Sequence, residues 1–414
     1  MAGAAWMGRR PGPGLILSAS IDSTRRHNRG REGAAVVSLS YLFAFGAAAS
    51  LIPFVSIYYK SIGFGAGTIG WLIGLPLLVN VVAAPLWGAV ADATHRHRAV
   101  LALTVGGAAA LAGLIAVSHR VWILLLIVLL HAAVYAPVMS LIDNGALILL
   151  AGRPADYGRF RFWGTVGWGV SALGVGWLVS AQGARWIFAV YVMLMVCLLL
   201  CAVRLPVGDR PEHGRFADRI AVLARDGRMW MFLAVAFLGG IGISMVNAYL
   251  PLYLNGMHAT GLVGVALLIA TVSEMPVMLL GRRILIRLGF GRAFVLALVL
   301  YGVRALALSL AHTPWIVLAL QLLHGPTFAV MWLSGVALAR SLAPAGIGAT
   351  AQGLFASVST GLGGACGAVL GGWVYGTTGP AATFRVAAVI LVVVVPTLAV
   401  AGGRQPHRAL FARF

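Results

Sequence analysis

The sequence predicts an all-α membrane protein with twelve transmembrane helices, and three observations carry that prediction. Hydrophobic residues make up 61% of the 414 positions and charged residues only 10%, which leaves too little polar surface to cover a soluble globule. Apolar runs of the roughly 20 residues needed to cross a bilayer recur from Ala34 to Ala401. The cations gather in short stretches between those runs, as they do in cytoplasmic membrane loops. Short alternating segments of the kind that build membrane barrels are absent.

Taken in order, the spans fall at 35–58, 68–91, 99–118, 121–146, 160–180 and 185–203, then at 229–254, 260–281, 291–311, 315–340, 347–376 and 380–402. Residues 1–33 precede them and carry six arginines around the short apolar Leu15-Ile16-Leu17; they predict a disordered cytoplasmic tail rather than a secretory signal. The segment 205–228 is the longest polar interruption and predicts a cytoplasmic central loop between two six-helix halves, 34–204 and 229–402, with 403–414 as a cytoplasmic tail. Helix one ends in a Leu51-Ile52-Pro53 corner and helix seven in Tyr249-Leu250-Pro251; Gly88 and Gly281 each close a span ahead of a cationic loop. These paired positions suggest duplicated halves.

A formal charge of +20 would ordinarily suggest nucleic acid, but 29 of the 30 cations are Arg and they sit between apolar runs. The expected partners are membrane lipid and a small-molecule substrate, with no nucleic acid, for a chain acting as a monomer. With the termini inside, 25 of the 30 cations fall on cytoplasmic segments. Lys60, Arg120, Arg185 and Arg385 are left outside and Arg304 lies within a span. That asymmetry places a multi-pass chain in the plasma (inner) membrane with both termini cytoplasmic. Cys197, Cys201 and Cys366 all lie in apolar segments and suggest packing rather than disulfides or a metal.

The loop after helix two reads Gly88-Ala-Val-Ala-Asp92-Ala-Thr-His95-Arg96-His-Arg98. It resembles the G-x-x-x-D-R-x-G-R-R signature of the major facilitator superfamily, departing from it at Ala93 and His95. The stretch Tyr157-Gly158-Arg159-Phe160-Arg161-Phe162-Trp163-Gly164 is similar to the opening of helix five in the phenylpropionate-permease-like branch, related to lactose and nucleoside proton symporters. Asp143-Asn144, Ser273-Glu274-Met275-Pro276 and Gln321-Leu-Leu-His324-Gly325 extend the resemblance across both halves. It implies the major facilitator fold and a gating role for Asp92, Arg96 and Arg98. Asp143 is placed to latch onto Arg159 or Arg161 between helices four and five.

Ionisable groups at mid-bilayer cost about 2.5–3.5 kcal/mol each on the insertion scale and usually mark function. Glu274 and Arg304 fall near the middle of helices eight and nine, and His324 lies on helix ten. The resemblance to lactose-permease-like symporters implies proton coupling and substrate contact for these three, with Thr327 and Gln321 standing where those relatives carry a Glu and a Lys. Burial favours a protonated carboxyl and a nearby Arg favours an ionised one, so a substrate competing for Arg304 would let Glu274 take a proton. The alternative is a permanent Glu274–Arg304 bridge that only fixes helix register. His131 is either a ligand contact or a core hydrogen-bonding group, and Asn80, Asn247 and Gln321 are hydrogen-bonding candidates. Glycines of helices five and eleven, among them Gly167, Gly174 and Gly353, predict close-packed surfaces.

The expected function is secondary transport of a small organic solute by alternating access, as proton symport in the uptake direction. A proton gradient supplies the energy and no cofactor is implied. With Lys60 the single lysine, the chain holds no nucleotide-binding G-x-x-x-x-G-K-[ST] loop, and it has no H-E-x-x-H or G-x-S-x-G motif, so an ATP-driven pump and a membrane enzyme are disfavoured. An efflux antiporter and a non-transporting receptor on the same fold remain as alternatives.

Overall fold

The structure, a computed structural model, describes residues 13–150, 157–205, 226–344 and 347–398, with side chains from Glu32 onward. Every regular element among the described residues is helical. Eleven helices are long and apolar enough to cross a membrane: α1 (Glu32–Ser61), α2 (Ala66–Thr94), α3 (His97–Val117), α4 (Val121–Leu150), α5 (Tyr157–Gln182), α7 (Gly227–Gly256), α8 (Leu262–Leu288), α9 (Phe290–Ser309), α10 (Pro314–Leu342), α11 (Gly348–Thr378) and α12 (Pro380–Leu398). Between them α6 (Trp186–Ala202) is equally apolar but has 17 residues. At 1.5 Å per residue that is about 25 Å, at the short end of what spans a bilayer. The twelve spans follow the order read from the sequence.

The first helix is longer than expected. Its backbone is helical from Pro13 and runs into the first span without a break. No Gly or Pro interrupts residues 15–29, and Arg, Leu and Ala favour helix. The rest of the N-terminal tail, most of the central loop and the C-terminal tail lie outside the described residues. Asp226 begins α7: its carboxylate accepts from the Arg228 N–H at 2.8 Å and pairs with the guanidinium at 3.1 Å. Partial burial pushes that carboxyl up, but the bonds and charge of Arg228 outweigh it and hold it below its usual range.

Helices α1, α3, α4, α5 and α6 pack on one another, as do α7, α8, α9, α10, α11 and α12, and the two groups meet along α2–α11 and α5–α8. Both seams are tight at one end. A Cβ on Gly264 would lie 2.2 Å from the Ala172 carbonyl oxygen, and one on Gly372 would lie 2.5 Å from that of Ala66. The Tyr249 hydroxyl donates to the Ala368 carbonyl at 2.7 Å across the same region. Toward the other end a Cβ at Gly88, Gly158 or Gly353 would meet nothing within 4 Å. The two seams are therefore clamped by backbone-to-backbone contact at the first end.

Gly167 packs on α1, where a Cβ would come 2.1 Å from the Leu42 carbonyl oxygen, but Gly174 and Gly353 face open space and are not the packing glycines expected. The two prolines read as a repeat also differ. The helix breaks at Pro53 and resumes at Val55, whereas Pro251 sits inside an unbroken α7.

Candidate functional site

The polar centre of the second half lies among α7, α8, α9 and α10, and the local structure of α10 builds it. The Gly325 N–H leaves the helical ladder and donates to Ser273 Oγ on α8 at 2.9 Å. The next residue, Pro326, has no N–H to give. With two successive bonds lost, Gly325–Ala329 widens into a π-helical turn, the kind of irregularity that often marks a functional site. Only Gly fits at the start of this turn, because a Cβ on Gly325 would lie 1.9 Å from the Ser273 carbonyl oxygen. The result sets His324 beside Glu274.

Among the described residues Arg304 is the most buried cation, with 1% of its surface exposed. Its Nε donates to the Leu320 carbonyl at 3.1 Å, Nη2 to Gln321 Oε1 at 2.6 Å, and Nη1 contacts His324 Nδ1 at 3.2 Å. The other ring nitrogen of His324, Nε2, lies 3.2 Å from Glu274 Oε1. A guanidinium only donates, so Nδ1 must accept, and the ring proton sits on Nε2 facing the carboxylate. A neutral His324 thus links a buried cation to a carboxylate that retains 22% side-chain exposure. The expected direct Glu274–Arg304 contact is replaced by this three-membered relay, because Arg304 is already engaged by Leu320, Gln321 and His324.

Tyr301, one turn before Arg304 on α9, flanks the guanidinium with its ring centre 5.1 Å away and donates its hydroxyl to Asn247 Oδ1 at 2.7 Å. Asn247 therefore joins the cluster through Tyr301. Along α10 the rings of His324, Phe328 and Trp332 stack in series at 5.1 and 6.4 Å, and Trp332 meets Phe355 at 5.5 Å. Tyr301 and Phe328 escaped the sequence reading. Their spacing of three residues before Arg304 and four after His324 was the available signal.

The other candidates stand apart. His131 bonds through Nε2 to the Tyr191 hydroxyl at 2.9 Å and stacks on Tyr135 in the first half. Asp92 contacts His97 at 3.0 Å, five residues along the chain, rather than a group across the bundle. Arg98 Nε donates to the Leu205 carbonyl at 2.8 Å, and Arg96 occupies the exposed junction before α3. His95, where the superfamily signature has Gly, adopts φ 53°, a left-handed conformation for which Gly is the usual choice. Asp143 does not engage Arg159 or Arg161. Its Oδ1 accepts from the Tyr41 hydroxyl and, at 2.8 Å, from the Tyr157 hydroxyl. Arg161 instead lies over the Phe45 ring at 3.8 Å, and Arg159 is exposed. Among the described residues no group of three or more His, Cys, Asp or Glu is arranged to hold a metal. The buried amide oxygen of Asn80 has no protein partner.

A sequence profile described as "MFS_1 like family" matches residues 35–386, more than four-fifths of the chain. The chain belongs to that family. It is 29% identical over 350 residues to the maltose permease of Geobacillus stearothermophilus, covering 82% of this chain and 86% of the relative. It is 24% identical over 304 residues to the probable 3-phenylpropionic acid transporter of Escherichia coli (strain K12), covering 72% and 79%. The crystal structure of the nucleoside transporter NupG superimposes with a TM-score of 0.79 at 19% identity, over 92% of this chain and 99% of that one. This MFS_1 like protein is a multi-pass membrane transporter of the major facilitator fold, not an enzyme.

Proposed function

We propose that the protein takes up a small hydroxyl-bearing solute together with a proton, and that Glu274, His324 and Arg304 couple the two. The observation that carries the reading is the His324 bridge between Arg304 and Glu274. Intact, the relay balances one positive and one negative charge inside the membrane, so the empty carrier can reorient without an unpaired buried ion. Arg304 is too buried and too fully bonded to take a substrate. The accessible partners are the Glu274 carboxylate and the Nε2–H of His324. A solute hydroxyl inserted between them parts Glu274 from its donor. Closing the halves over that carboxylate would strand its charge away from water and from its donor; a proton on Glu274 removes it, and the remaining Arg304 charge stays held by its three acceptors, Leu320, Gln321 and His324.

The exposed acceptor favours donor-rich solutes over anions. Among the relatives, maltose permease is named for a hydroxyl-rich sugar, and the 3-phenylpropionic acid transporter for an acid. The stacked Phe328 and Trp332 supply a flat wall beside the site. By the cation asymmetry of the loops, the clamped end of the bundle faces out and the other end faces the cytoplasm, with both termini inside. Solute-dependent alkalinisation outside energised cells expressing the protein, screened over sugars, nucleosides and aromatic acids, tests the reading. Sugars or nucleosides should move protons inward with them. Proton movement with carboxylates alone, or solute movement without protons, would overturn it.

A further inference from the structure

Among the described residues, one end of the bundle is basic with no acid to balance it. Lys60 closes α1, Arg120 and Arg185 precede α4 and α6, and Arg385 lies in the second turn of α12. Among the described acidic side chains, Glu274 is mid-span, and Glu32, Asp92, Asp143 and Asp226 lie toward the opposite end of the spans. Among the described residues, no carboxylate pairs with Arg185.

At this end a groove of about 520 Å³ opens between the last turns of α3 and the first turns of α6, lined by Gly113, Ala116, Phe188 and Val192 together with Arg185 and Trp186. That volume falls within the roughly 300–1,000 Å³ of small-molecule clefts. The space exists because α3 carries small residues here: a Cβ on Gly113 would meet nothing within 4 Å. The nearby carbonyls of Ile115 and Ala116 are already taken by the Tyr58 hydroxyl, both at 3.2 Å, so the α3 wall is left apolar. Leu114 and Val117 on α3 and Met193 and Val196 on α6 are exposed hydrophobics on either side, which places the groove on a lipid-facing flank. Trp186, 49% exposed, sits at the level where such rings mark the membrane boundary. Arg185 immediately precedes α6, so the partial positive charge of the helix start adds to its guanidinium.

We propose that this groove is a binding site for an anionic phospholipid, with the phosphate on Arg185 and one acyl chain laid between Gly113 and Val192. The apolar lining demands a hydrocarbon occupant and the unpaired cation demands an anion, and a soluble phosphate supplies only the second. A lipid wedged there joins α3 to α6, the shortest span.

The test uses the full-length purified protein in neutral detergent, with thermal unfolding followed as phosphatidylglycerol, phosphatidylcholine or inorganic phosphate is added. Phosphatidylglycerol should raise the midpoint saturably and the other two should not. Arg185→Gln should weaken that response about tenfold or more, the scale of one charge-assisted hydrogen bond. Gly113→Leu should abolish it by filling the groove, while Arg185→Lys and Arg385→Gln on the other half should retain it. Because Arg185 is exposed, its Gln variant should match wild type without lipid, which separates lost binding from misfolding. An equal response to phosphatidylcholine, a response reproduced by inorganic phosphate, or an undiminished response in Arg185→Gln would overturn the proposal.

Discussion

Arg304 holds His324 in one tautomer: its guanidinium faces Nδ1 at 3.2 Å, and the remaining ring proton is directed at Glu274. Nitrogen-15 spectra of histidine-labelled protein should therefore show His324 protonated on Nε2 alone. A proton on Nδ1 would break the relay. His324→Phe should leave Glu274 without its ring donor and cost about 1–3 kcal/mol in unfolding measurements, the usual penalty for a buried group losing its partner.

Arg304→Lys should fail despite keeping the charge. Three acceptors, the Leu320 carbonyl, Gln321 Oε1 and His324 Nδ1, surround a planar fork, and an ammonium on a flexible stem cannot reach all three in that geometry. Uptake should fall by about tenfold or more, equivalent to roughly 1.4 kcal/mol, with the protein still folded in the membrane. Wild-type uptake in this variant would mean that the fork plays no part.

Gly325→Ala should be disproportionately harmful for one added methyl. The Cβ would collide with the Ser273 carbonyl, forcing α8 and α10 apart where Glu274 and His324 meet. A stability loss of about 1–3 kcal/mol is expected from such overpacking, with transport lost in step. Gly353→Ala, which faces open space, serves as the control and should be near neutral.

Asp143 should couple energetically to Tyr41 and Tyr157 rather than to Arg161. In a double-mutant cycle of thermal stability, Asp143→Asn with Tyr41→Phe should show an interaction of about 0.5–3 kcal/mol, and Asp143→Asn with Arg161→Gln should be additive to within roughly 0.5 kcal/mol. Coupling to Arg161 instead would restore the latch that the charges alone suggested.

The fold was legible in the sequence because a bilayer imposes one length and one composition on every span, and loop cations supply the order. Glu274, Arg304 and His324 were legible for the same reason: few ionisable groups stand in apolar runs, and each is conspicuous. Their connectivity was not. Which of two neighbours a buried Arg contacts depends on the rotation of α9 and α10, and here on a π-helical turn set by Gly325, Pro326 and the Ser273 hydroxyl on another helix. Asp143 failed for a related reason, since charge pairing is easy to imagine from sequence and a phenol pair such as Tyr41 and Tyr157 is not. The groove at Arg185 was invisible because it depends on small residues of α3 facing the start of α6.

Glu274→Gln in proteoliposomes tests the central claim most directly, with solute counterflow and gradient-driven accumulation measured side by side. Glutamine keeps the shape and an acceptor for His324 but cannot exchange a proton, so counterflow should persist while accumulation under an inward proton gradient is lost. Accumulation that survives in Glu274→Gln would contradict proton coupling through this relay.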